Sequence, residues 1–178
     1  DLRLMKPAAP DEPQGKVNQA VESIHRIWQA TATERSTQLV FCDLSTPKDK
    51  GFSVYRDMAE KLKGMGIPER EIAFIQEFDS DASKLALFRD VRSGKVRVLF
   101  GSTQKMGSGT NVQERLIALH HLDAPWRPAD VEQREGRILR QGNKNSVVQV
   151  FRYVTEGSFD AYMWQTLETK AKFIAQVM

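Results

Sequence analysis

Apolar residues along this chain recur with two alternating periods. From residue 16 to 32, Val17, Val21, Ile24, Ile27 and Trp28 return every third or fourth position, the spacing of one helix face, which places Trp28 toward a core. Helices are predicted in the same way over 52–63, closed by Gly64 and Gly66, and over 83–91, where Leu85, Leu87, Phe88 and Val91 form the stripe. A last helix over 158–177 carries Phe159, Met163, Leu167, Ala171 and Ile174 as a face expected to dock on its own sheet. Between the helices lie short apolar runs over 38–42, 72–75, 96–100 and 116–122, and an alternating run over 146–154, which read as five strands. Strands that alternate with helices predict a central, mainly parallel sheet with helices on both faces, an α/β three-layer domain. Right-handed crossovers then bring the segments after the strands to the carboxyl edge, where such folds bind ligands. Ser45, the run from Ser102 to Thr110, and Asp123 to Pro128 all fall on that rim.

Composition narrows the class. The 178 residues suit one domain with a real core, and 40% hydrophobic with 28% charged residues is an ordinary globular balance. A net charge of +3 permits nucleic-acid binding without arguing for it. The single cysteine, Cys42, excludes an internal disulfide and sits in an apolar run, as a buried thiol in a reducing compartment does. No stretch reaches the roughly 20 apolar residues of a membrane span, and the start lacks a signal peptide, so cytoplasmic residence is the expectation. Pro7, Pro10 and Pro13 make residues 1–15 read as a linker or extended tail ahead of a domain over 16–178, and the chain reads as a piece of something longer.

The densest chemistry lies between Gly101 and Gly142. A helix starting at Pro128 and closed by Gly142 places Gln133, Arg137 and Arg140 in a stripe roughly 60° wide, at about 100° per residue. Val131, Ile138 and Leu139 fall opposite, and Gly136 stands inside the helix at a cost of about 1 kcal/mol relative to Ala. Planar guanidiniums match phosphate oxygens, so two of them in register form a candidate phosphate clamp. His120 and His121, adjacent on a strand, point to opposite faces and do not chelate one ion, so no metal site is expected.

The pattern ST-x4-GSGTN, then D-x2-W-x-P, then Q-x3-R-x2-R-x-G resembles motifs V and VI of superfamily 2 helicases and translocases, chiefly the Swi/Snf-type branch. More loosely, the likeness runs from Lys16 to Met178, and it extends to the helicase portions of large methylase-helicase proteins of phages and plasmids. The resemblance implies the second of two RecA-like domains, with ATP and Mg²⁺ held between it and an N-terminal partner domain of the same longer chain. Arg137 and Arg140 would then act catalytically on the ATP phosphates, with Arg140 as the arginine finger. Gly107, Gly109, Asn111 and Gln133 would approach the nucleotide. Ser45, Thr46, Ser102, Thr103 and Lys105 would contact the backbone of DNA, RNA not being excluded; as bare residues, Ser45 and Thr46 read as turn formers. The chain departs from the branch at Arg127, where members usually carry Asn, and near Lys84, where they often carry Arg.

A phosphate-cradling G-x4-G-K-[ST] loop and a D-E-x-H-type acidic motif are both missing from this sequence. The expectation is therefore a motor half that binds no cofactor and hydrolyses no ATP alone. The alternative is a non-catalytic RecA-like module for nucleic-acid binding or scaffolding.

Overall fold

The computed structural model describes residues 2–6, 8–47, 51–106 and 110–177. Five strands, β1 (Thr37–Phe41), β2 (Ile72–Phe74), β3 (Val98–Gly101), β4 (Leu116–His121) and β5 (Gln149–Arg152), pair in the order β2-β3-β1-β4-β5. Every pair is parallel. The three central strands are buried almost throughout, which is why they read as continuous apolar runs rather than alternating ones. The edge strand β5 is largely exposed, and only Phe151 of its four residues is partly buried.

Successive side chains divide this sheet into two cores. Val40, Val98 and Phe100 pack with α1 (Lys16–Ala30) and α2 (Val54–Gly64). Leu39, Phe41, Leu99 and Leu119 pack on the other side with α3 (Asp81–Arg92) and with Ile138. Trp28 is partly buried against the first core, and its ring N–H donates to Glu71 at 2.8 Å. Cys42 is buried in that core, and burial pushes its thiol well above the usual range. Ser80 caps α3 by accepting the Ser83 amide at 3.1 Å.

Several boundaries differ from the predicted ones for tertiary reasons. The fifth strand begins at Gln149 because Asn143 and Asn145 instead turn their side-chain amides onto the Leu116 carbonyl, at 2.8 and 3.2 Å. Leu85, expected on the packed face of α3, is 64% exposed; the core side of that helix is Leu87, Phe88 and Val91. The helix α5 (Phe159–Val177) buries Trp164 and Leu167, whereas Phe159 and Ile174 of its apolar stripe are exposed, so only part of that stripe docks. Upstream of α1, Arg3 is buried over the Phe52 ring and pairs with Asp57 through two 3.0 Å bonds, which holds the tail against α2. Among the described residues, no helix is long and apolar enough to cross a membrane.

Candidate functional site

The carboxyl ends of β1, β3 and β4 open into a cleft of about 560 Å³ lined by Asp43, Thr46, Ser102, Thr103, Gln104, Arg127, Asp130 and Gln133. Its far wall is the start of α4 (Pro128–Glu135). Pro128 opens that helix and Arg127 supplies no side-chain cap. The Arg127 guanidinium instead grips Asp130 in the first turn, with bonds of 3.1 and 2.9 Å. A carboxylate there complements the helix dipole, so the pair substitutes for the missing cap.

The expected helix through Gly142 is not formed. The regular helix stops at Glu135, with Gly136 at its C-cap, and the Arg137 and Ile138 amides tighten onto the carbonyls three residues back, at 3.2 and 3.1 Å. Two tertiary contacts hold this turn: Ile138 is driven into the second core, and Arg137 donates to the Thr110 carbonyl at 3.2 Å. Gly136 is thus an end residue whose missing Cβ faces the Glu132 and Gln133 carbonyls of its own helix, 2.9 and 3.9 Å away. Gly142 does adopt a left-handed φ of 89°, seven residues beyond the helix end. The single stripe of Gln133, Arg137 and Arg140 is corrected accordingly. Gln133 faces the cleft, whereas the two arginines lie on the following turn, outside its lining. Leu139, assigned to the apolar side, is 70% exposed.

Arg137 is half-buried, and burial together with the neighbouring Arg140 cation depresses its pKa. Arg140 is exposed, and no hydrogen bond or ion pair to a described residue holds it. Asn111, next along the chain from the Thr110 that Arg137 contacts, is exposed, its carbonyl accepting from Arg92 at 2.7 Å. Gly107 and Gly109 lie outside the described residues.

Of the residues expected at the nucleic-acid backbone, Thr46, Ser102 and Thr103 line the cleft. Ser102 accepts the Lys105 amide at 3.2 Å, and the Lys105 ammonium lies 3.6 Å from exposed Asp79. Ser45 is corrected to an internal position. It is buried, and its hydroxyl accepts the Val54 amide at 2.9 Å, serving the first turn of α2 rather than the rim.

The residue that sequence reasoning missed is Arg134, 1% exposed. Its Nε donates to Thr103 Oγ1 at 2.8 Å, Nη1 to His121 Nδ1 at 3.1 Å and the Asp123 carbonyl at 3.0 Å, and Nη2 to Asp43 Oδ2 at 2.8 Å and Asp123 Oδ1 at 3.2 Å. All five N–H groups of the guanidinium therefore have acceptors. Because arginine only donates, His121 Nδ1 must accept; its Nε2–H then donates to Glu135 at 3.2 Å. Burial and the Arg134 cation hold the His121 pKa down, while the bond from His121 holds Glu135 below the usual carboxylate range. Burial pushes Asp123 upward, although Arg134 and the Asp43 and Leu44 amides, which it accepts at 2.6 and 2.9 Å, offset part of the effect. One sequence signal was present: at helical spacing Arg134 falls beside Val131 and Ile138, a cation on an apolar face.

His120 points to the opposite side of the sheet, as the strand pleat requires. It is bonded to Tyr153 and Gln38 at 2.9 Å each, and burial pushes its pKa down to about 3.

A parallel five-stranded sheet flanked by helices, with its ligand cleft at the carboxyl edge and arginines on the adjoining turn, defines a RecA-like domain. Residues 19–142 match the model of the helicase conserved C-terminal domain family. The chain belongs to that family, and its fold is that of superfamily 2 helicase C-terminal domains. It is 35% identical over 89 residues to defense against restriction protein B of Escherichia phage P1, a match that covers 50% of this chain and 4% of that protein. It is 30% identical over 90 residues to the uncharacterized ATP-dependent helicase YqhH of Bacillus subtilis strain 168, covering 51% and 16%. The chain thus spans only a small fraction of these relatives. Among solved structures, the C-terminal part of the Fun30 ATPase domain superposes with a TM-score of 0.64 at 15% identity, covering 92% of this chain and 49% of that one.

Proposed function

We propose that this chain is the second motor domain of an ATP-dependent DNA helicase or translocase, and that it supplies an arginine finger and nucleic-acid backbone contacts to a longer protein. The observation that carries this reading is the pairing of Arg137 and Arg140 on one turn beside Thr110 and Asn111, with Arg137 partly desolvated by its surroundings. Two like charges held together on a rim favour a multiply charged anion arriving between them, and triphosphate fits that requirement.

The residues fit one half of an ATP site. When bound, ATP supplies the phosphoryl group to be transferred. Arg140, exposed, would reach the phosphates, and Arg137 would add a second positive charge from a more fixed position. Asp43 and Asp123 are both engaged by Arg134, and the lysine-bearing phosphate loop and the Mg²⁺ carboxylates would come from an N-terminal motor domain. Thr46, Ser102, Thr103 and Lys105 would grip nucleic acid through its backbone, with strong salt dependence and little sequence preference.

The test uses the full-length protein. Arg140→Ala should lower nucleic-acid-stimulated hydrolysis by about 10³- to 10⁵-fold and leave nucleic-acid affinity mostly intact. Equal loss of both would sink the finger assignment. The 178-residue chain alone should show no measurable ATP turnover; robust turnover by it would refute the division of labour, and an inert full-length protein would favour a non-catalytic module.

A further inference from the structure

Arg134 bonds three segments that follow three neighbouring strands: Asp43 after β1, Thr103 after β3 and Asp123 after β4. Four of its five acceptors are side-chain atoms, and only the Asp123 carbonyl belongs to the main chain. The bonds also form a closed circuit. Thr103 donates its amide to Asp43 Oδ1 at 2.6 Å and its hydroxyl to Asp43 Oδ2 at 2.7 Å, while the same hydroxyl accepts from Arg134. One end of this circuit is wet, since Asp43 and Thr103 line the cleft and the Asp43 side chain is 29% exposed. The other end is dry, with the Asp123 side chain at 3%. Arg134 itself stands three residues before Arg137 and six before Arg140.

Resting on the motor-domain reading above, we infer that Arg134 is a positioning residue: through Asp43 and Thr103 it sets the turn bearing Arg137 and Arg140 according to what occupies the cleft. A backbone phosphate drawing on the Thr103 amide or hydroxyl competes with Asp43 for those donors. Asp43 then shifts against Arg134, and the helix end that carries the arginines follows. Displacements of an ångström at a reacting centre change rates by about 10²-fold, so a small repacking suffices. Lysine cannot reproduce the arrangement, because an ammonium on a flexible stem does not span acceptors on three loops.

The experiment measures ATP hydrolysis by the full-length protein with saturating nucleic acid, supplied as a DNA duplex of arbitrary sequence or a single-stranded RNA. Arg134→Lys should lower kcat by about 10²-fold while KM for ATP moves by less than about twofold. Asp43→Asn should act in the same direction, and the double variant should be no worse than Arg134→Lys, because both changes break one circuit. If Arg134→Lys does not fold, Asp43→Asn carries the kcat test. Unchanged kcat in a variant that folds, loss of rate in proportion to loss of folded protein, or additive losses in the double variant would overturn the inference. A wild-type protein with no nucleic-acid-stimulated hydrolysis would overturn the motor-domain reading and this inference with it. Stimulation in the wild type that persists undiminished in both single variants would overturn this inference alone.

Discussion

Arg97 and Arg134 are shielded from water almost equally, at 2% and 1% exposure, but they occupy opposite ends of the same sheet and take different kinds of partner. At the amino edge, Arg97 donates chiefly to main-chain carbonyls, those of Ser36, Trp28 and Thr31 at 3.1, 2.8 and 3.0 Å, with the Thr31 hydroxyl at 2.9 Å as its one side-chain acceptor among the described residues, and lies 5.3 Å from the Trp28 ring. Those carbonyls belong to the end of α1 and the approach to β1, and a cation there complements the carboxyl end of the helix dipole. At the carboxyl edge, the partners of Arg134 are chiefly carboxylates and a hydroxyl, carried on loops after the strands, and the imidazole of the last residue of β4. Main-chain acceptors cannot leave without unfolding something, whereas side-chain acceptors can exchange partners while the backbone stays. A buried arginine thus closes the fold at one end and leaves it adjustable at the other.

The largest expected effect of breaking this contrast is at Arg97. Arg97→Ala strands one buried carbonyl, that of Ser36, and two part-buried ones, each worth about 1–3 kcal/mol when left unpaired, and should lower the unfolding free energy by about 3–4 kcal/mol in denaturant titration. The kcat of the remaining folded full-length protein should stay at the wild-type level. A kcat loss like that expected for Arg134→Lys, at unchanged stability, would erase the distinction between the two edges.

His120 sharpens the comparison on the α1 side of the sheet. With its native pKa at about 3 against an ordinary 6.5, it stays neutral in the fold while the unfolded chain takes up a proton below pH 6.5. Stability is therefore fully present above that pH and falls as the pH drops toward the native value, by up to about 1.4 kcal/mol per pH unit. His121, also depressed, adds a loss of the same sign. Between roughly pH 6 and 5, His120→Gln should flatten the wild-type slope by about 1 kcal/mol per unit. An unchanged slope would mean that His120 titrates normally.

The smallest effect is expected at an exposed cation on the functional edge. Lys105→Ala should change stability by less than about 0.5 kcal/mol, since its contact with Asp79 is long and solvated. It should make the slope of log affinity for nucleic acid against log salt shallower by about 1. Loss of several kcal/mol of stability instead would show that the functional edge is as rigid as the opposite one.

Much of the fold could be read from local pattern. The three buried central strands stood out as apolar runs, and α1 matched its predicted start at Lys16, because burial on both faces of a sheet or on one face of a helix imposes a period on nearby residues. The site was less legible. Four residues singled out from the sequence, Thr46, Ser102, Thr103 and Gln133, lie around one cleft. The inward turn of Ser45, the helix end at Glu135 and the burial of Arg134 were not legible, since each depends on a partner outside its own element.

The sequence by itself determined the alternation of strands and helices, and with it the parallel sheet and the edge on which ligands gather, because those follow from the spacing of neighbouring residues. Only the tertiary structure decided that Arg134 is sealed inside, Arg137 half-buried and Arg140 exposed. Burying a charge requires acceptors on every side, and for Arg134 they come from residues 43, 103, 121 and 123, as many as 91 positions away along the chain.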